Sequence, residues 1–319
     1  MQYWELVTRS FKITWRHKYL WLLAFFAGES GGSFNFNSPA TPGTNGSGRA
    51  PDLGAVNQQV TQWLSDHTGL IVAASAAILV IAIAFFVLGA VCEGAVVRAS
   101  AEHDAERPFG LGSAWQAGTA TMGTMIRLRL LLIALTLPLL AIFAALTIAF
   151  LIAIFGGKGA VVALFGFVFI LAAIPYSILL FFLDRLGSRA VVLEQLGAIT
   201  ALGRAYSLVK KRLGRLLLLG LLAIAVGFVI GICFAILGAI VVVPVTVVAI
   251  AAHASHSSTW WVAIVLAGAI LLPVFLVIAA FLAAQGSTYW TLAFRRLEID
   301  QTPAYAYAPP RVPQPPANL

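Results

Sequence analysis

Charge is the scarcest property of this sequence: Asp, Glu, Lys and Arg make up 10% of its 319 residues, against about 25% in soluble domains. Five stretches, Leu70–Cys92, Leu130–Phe155, Ala160–Leu183, Leu216–Ala252 and Trp260–Ala284, contain none of the four. That excludes a water-soluble globule. Cysteine is nearly missing as well, and Cys92 and Cys233 make neither a disulfide framework nor a zinc motif. No glycine-rich phosphate loop runs into Lys-Ser or Lys-Thr, and no carboxylates pair within the apolar stretches. His253 and His256, even joined by His67, have no Cys, Asp or Glu nearby to complete a metal site and read as loop histidines. We expect no catalytic, cofactor or metal site.

What is abundant is apolar surface: 61% of residues are hydrophobic and the mean hydropathy is +0.94. Each of the five stretches reaches the roughly 20 helical residues that a bilayer crossing needs. In the fourth, a helix over 216–240 is followed by the Val-rich segment Val241–Val248, broken by Pro244. A sixth stretch, Tyr19–Gly28, is too short alone and crosses only as the continuation of a preceding helix, with Arg16 and Lys18 snorkelling to the headgroups. Cleavage of Met1–Gly28 as a signal peptide is disfavoured, because Phe25 occupies a position that wants a small side chain.

The net charge of +8 reports topology rather than nucleic-acid binding, since Lys and Arg are retained on the cytoplasmic side of a membrane. Eighteen of the 20 basic residues fall before Tyr19, in 93–129, in 184–215 or after 284; Arg49 and Lys158 are the exceptions. That division requires the first short stretch to cross too. The expected fold is all-α and polytopic, with six transmembrane helices and both termini cytoplasmic.

The cytoplasmic segments also resemble one another. Ser10-Phe11, Ala114-Trp115 and Ala205-Tyr206 each set a small residue before an aromatic, and Gly94-Ala95-Val96, Gly187-Ser188-Arg189 and Gly286-Ser287-Thr288 mark matching exits. The chain divides into one helical membrane domain over 1–299, built of three units at about 1–98, 99–190 and 191–299, each an amphipathic helix leading into a membrane hairpin. An outer loop spans 29–68; its first part is low in complexity, and Asp52–Asp66 carries a helical stripe anchored by Trp63. The proline-rich 300–319 is a disordered cytoplasmic tail.

The clearest amphipathic segment is Ile199–Leu216, where Ile199, Leu202, Tyr206, Val209, Leu213 and Leu216 recur at helical steps. Arg204, Lys210, Lys211, Arg212 and Arg215 fill much of the other side and are the candidate contacts to lipid headgroups, anionic ones among them. The same helix has a plainer use, packing on the cytoplasmic ends of the bundle. The second copy, with Leu111, Trp115, Met122 and Met125, is weaker and less basic. Further along, Gly220, Gly227, Gly231 and Gly238 form a small-residue seam suited to close helix approach. Pro138, Pro175, Pro244 and Pro273 fall inside apolar stretches as kink positions.

Trp15-Arg16-His17-Lys18-Tyr19-Leu20-Trp21, the Pro108–Trp115 segment and the Ala201–Val209 segment together resemble an uncharacterised family of bacterial six-helix integral membrane proteins. They are also similar to the membrane domain that accompanies some glycerophosphodiester phosphodiesterases. The soluble segments here are too short for the phosphodiesterase barrel, so the resemblance implies no catalytic residue. It implies a bacterial inner membrane location. The expected function is a non-enzymatic scaffold that senses or organises lipid through its basic amphipathic helices, with membrane lipids and a protein at the cytoplasmic face as partners. The alternative is a permease or lipid-handling transport subunit with an uncharged path between proline-kinked helices.

Overall fold

The computed structural model describes residues 3–28, 61–155, 159–254 and 260–299. Among them the regular elements are α1 (Tyr3–Arg16), α2 (Tyr19–Ala27), α3 (Thr68–Asp104), α4 (Leu111–Phe155), α5 (Gly159–Leu193), α6 (Ala198–Ala254) and α7 (Trp260–Ile299). Residues 61–66 are helical too; the rest of the predicted Asp52–Asp66 helix lies outside the described residues, as do most of the outer loop and the proline-rich tail. Five helices, α3 to α7, are long and apolar enough to cross a membrane, so this is a multi-pass membrane protein. Consecutive helices from α3 to α7 pack side by side, and α7 returns to α3 to close a ring. The wedge between α3 and α7 is filled by α2, and α1 lies on α7.

The expected sixth crossing is not found among the described residues. At nine residues, α2 is about 14 Å long, under half of a roughly 30 Å hydrocarbon core. It is not one helix with α1 either, because the chain turns at His17 and Lys18. Gly28 ends α2 in the left-handed conformation, φ 71°, a cap that glycine adopts without a Cβ clash. The nearby Arg129 donates from Nη2 to the Ala27 carbonyl at 2.9 Å, so a helix end inside the bundle has one of its carbonyls satisfied.

A second correction concerns helix lengths. The amphipathic segment at the start of α4 is not separate from its span, since Leu111–Phe155 runs as one helix, whereas α6 is two helices joined by a kink at Arg212 (φ −134°, ψ 30°), the amphipathic part lying before the break. The helix also runs on through Pro244 instead of stopping there. Pro138, Pro175 and Pro273 likewise sit inside helices. Tyr176 of α5 donates to the Leu135 carbonyl at 2.7 Å, close to where Pro138 disturbs α4.

The protein core sits at the charged end of the ring. Buried side chains run from Leu6 to Ala27 in α1 and α2, over 89–102 in α3, over 182–192 in α5 and through Ala283–Leu297 in α7. By contrast the most apolar windows of α3 and α4 bury nothing. Lipid supplies no hydrophobic drive for helix association, so small residues that let backbones meet have to do it. They do so where α3 crosses α4: a Cβ on Gly118 would collide with the Val91 carbonyl, and one on Gly94 would lie 2.6 Å from Thr121 Oγ1. The predicted seam on α6 is a contact only at its ends. A Cβ on Gly220 would lie 3.3 Å from Phe182 and one on Gly238 3.5 Å from Phe275, while a Cβ on Gly227 or Gly231 meets nothing within 4 Å among the described residues. Ser10, Ala114 and Ala205, the small members of the three repeated pairs, are all fully buried. Glu106 and Gln195, each two residues beyond a long helix, both adopt positive φ (57° and 55°).

Candidate functional site

Acidic side chains are few at the charged end, and arginines gather round them. Asp104, at the end of α3, receives Arg9 of α1 at 2.6 Å and Arg295 of α7 at 2.6 Å. Both α1 and α7 are thereby tied to the end of α3, where Arg295 also donates to the Ala101 carbonyl and Arg9 to the Asp104 carbonyl. Glu102 pairs with Arg98 at 2.8 Å and Arg107 at 3.3 Å, and Glu5 of α1 with Arg296 of α7 at 3.4 Å. Beneath this layer lies a buried polar seam. The Ser100 and Thr288 hydroxyls are 3.0 Å apart, Thr14 donates to Thr288 at 3.5 Å, and Gln285 donates to Ser10 at 3.3 Å. Arg189, 0% exposed, donates to Ser188 Oγ at 2.8 Å and to both the hydroxyl and the carbonyl of Ser287. Such a buried guanidinium is costly unless hydrogen-bonded.

At the turn between α1 and α2, His17 stacks on His103 with ring centroids 3.6 Å apart and planes within 8°. The Tyr19 hydroxyl is 2.6 Å from Nε2 of His103. Burial, and then the neighbouring Arg16, push the His17 pKa down. Neutral rings stack without charge repulsion, so the His17 shift and the observed geometry agree.

A second enclosed charged feature lies between α2, α3, α4 and α5. Glu93, 5% exposed, accepts two hydrogen bonds from Arg129, from Nε at 3.1 Å and Nη2 at 2.7 Å. Their pair forms one wall of a cavity of about 410 Å³ whose lining also includes Phe86, Ile133, Thr136, Asp184 and Arg185. Glu93 follows the last residue of one apolar stretch and Arg129 precedes the first residue of another. Opposite charges at matching ends of adjacent spans were the signal available in the sequence. No spacing rule identified Arg189, which counts as one more basic residue of a loop until helix packing encloses it.

The cationic candidates are on α6. Arg204 pairs with Glu194 at 3.3 Å. Lys210, Lys211 and Arg215 are exposed and Arg212 is half-buried at the helix break. That break places Lys211, Arg212 and Arg215 around one hollow of about 400 Å³. The predicted apolar stripe divides in two. Val209 and Leu216 are buried, but Ile199, Tyr206 and Leu213 are 77%, 51% and 50% exposed. The face that meets the bundle is instead Ala198, Ala201, Ala205 and Leu208, because alanine lets α6 approach closely. Among the described residues no cluster of three or more His, Cys, Asp or Glu is placed to hold a metal. Cys92 is buried and Cys233 exposed.

No curated protein and no solved structure matches this chain. The profile of a family of unknown function, DUF7544, matches residues 7–292, from within α1 to within α7. A match of that extent covers most of the helical ring, with Glu5, Arg295 and Arg296 of the charged end outside it, and the chain belongs to this family, DUF7544.

Proposed function

We propose that the protein is a non-enzymatic scaffold of a bacterial inner membrane, with its charged end in the cytoplasm, that organises lipid through the first part of α6. The observation that supports this most directly is the division of that helix. It grips the bundle with alanines, yet turns a second apolar face outward at Ile199, Tyr206 and Leu213 beside Lys210 and Lys211. An apolar stripe next to cations is the surface an interfacial helix offers to lipid. The amphipathic α1 repeats the division, with Leu6, Val7, Ser10 and Ile13 buried and Trp4 and Trp15 exposed. A soluble protein docking on the same cytoplasmic face fits the reading equally well.

Replacing Lys210, Lys211 and Arg212 together with Gln is expected to weaken retention of anionic lipid by up to about 3 kcal/mol, at about 1 kcal/mol per cation near an anionic surface. The effect should shrink at high salt. Native mass spectrometry of the two proteins with bound lipids measures it, and equal retention would reduce these cations to topology signals.

Cytoplasmic termini and a division into three units complete the proposal; the matched burial of Ser10, Ala114 and Ala205 supports the threefold division. Single cysteines at Ser47 and Ser258, in a background without native cysteines, are expected to react with an impermeant thiol reagent from the periplasm, and one at Ser207 is not. Labelling at Ser207 instead would invert the orientation.

A further inference from the structure

The cavity between α2, α3, α4 and α5 is built in two layers. Glu93, Arg129 and Asp184 stand at the ends of three apolar stretches, and Arg185 follows Asp184. Phe86 and Thr136 line the same cavity seven residues further along α3 and α4, which is about 10 Å deeper at 1.5 Å per residue. One side of the hollow is therefore at headgroup level and the other at acyl level. Its volume of about 410 Å³ lies in the range of small-molecule sites, about 300–1,000 Å³. Ile133, 48% exposed, stands at its mouth and leaves it open to the bundle surface.

The charges in the lining cancel: two carboxylates, Glu93 and Asp184, oppose two guanidinium groups, Arg129 and Arg185. A purely anionic headgroup would have to sit beside both carboxylates, and a purely cationic amphiphile beside both arginines, each a like-charge contact. A headgroup with one charge of each sign meets neither penalty. The pair Glu93–Arg129 is held by two hydrogen bonds and by the Ala27 carbonyl, which fixes the wall against which such a group would lie.

We propose that this cavity binds a phospholipid of the leaflet at the charged end whose headgroup carries an ammonium as well as a phosphate. The phosphate lies on the arginine side and the ammonium towards Asp184, with the first carbons of an acyl chain along Phe86 and Ile133. This site is separate from the α6 surface and does not depend on the scaffold reading.

The full chain in mild detergent is exposed to equimolar dioleoyl phosphatidylethanolamine and dioleoyl phosphatidylglycerol and followed by native mass spectrometry. The ethanolamine lipid is expected to form a one-to-one adduct, favoured about tenfold over the glycerol lipid, the size of one charge-assisted contact. Asp184→Asn should bring the two lipids to equal retention. Ile133→Trp adds bulk to the lining from an exposed position while keeping all four charged side chains, and should abolish the adduct while leaving salt-sensitive anionic lipid on α6 in place. Glycerol lipid retained as well as ethanolamine lipid by the unaltered protein would overturn the proposal. So would an undiminished adduct in Ile133→Trp. Loss of anionic lipid from the Lys210, Lys211 and Arg212 variant tests the α6 surface alone, so the two readings fail separately.

Discussion

Gly118→Leu is expected to lower stability by on the order of 3 kcal/mol, the upper part of the range for overpacking a well-packed site. The reason is backbone, not side chain. A Cβ at Gly118 would run into the Val91 carbonyl and lie 3.2 Å from the Ala95 Cβ, and a carbonyl held in the α3 hydrogen-bond ladder cannot turn aside as a side-chain end can. Helices α3 and α4 would have to part along the closest crossing of the ring. Gly123→Leu is the matching control, on the same helix but with nothing within 4 Å of a Cβ. Thermal unfolding in detergent compares the two, and equal melting temperatures would show that the crossing does not limit stability.

Removing one member of the Glu93–Arg129 pair should be as damaging. Breaking a buried pair leaves an unpaired charge and costs about 3–5 kcal/mol, while replacing both partners by apolar residues is close to neutral. Arg129→Leu is accordingly expected to destabilise strongly, and Glu93→Leu combined with it to recover most of the loss. Recovery should be incomplete, because Arg129 also satisfies the Ala27 carbonyl at 2.9 Å. Arg129→Lys separates these contributions: it keeps the charge but has one ammonium where the guanidinium fork serves two acceptors. A double variant no more stable than Arg129→Leu would assign the cost to the α2 end instead of to Glu93.

The sequence made the five long spans plain, since runs without charge admit few other readings. The short Tyr19–Gly28 run was harder, because basic residues can be counted by loop whether or not a helix between them reaches the far side. Its nine helical residues end at Gly28, and only the tertiary contact with Arg129 shows how such an end is accommodated. Helical periodicity found both apolar faces of Ile199–Leu216 merged into one stripe. It did not separate them, because alanine scores as weakly apolar while it is the residue that lets helices touch. The polar seam of Ser10, Thr14, Ser100 and Thr288 was illegible for a related reason: its members come from three helices, and hydroxyl residues in an apolar sequence carry no period of their own. Glu93 and Arg129 stand 36 residues apart, so their pairing appeared only once α3 and α4 were placed side by side.

The concentration of packing at one end of the ring has a mechanical consequence. Side chains interlock around Asp104, Thr288 and Arg189, whereas the most apolar windows of α3 and α4 bury nothing. Protein contacts thus set helix spacing near one membrane surface, and lipid sets it towards the other. A change in bilayer thickness is met by tilt, at fractions of a kcal/mol per Å of mismatch, and here the tilt has a fixed pivot. Rotation of α3 against α4 under such a change is expected to centre on Gly94 and Gly118, close to the Glu93–Arg129 pair.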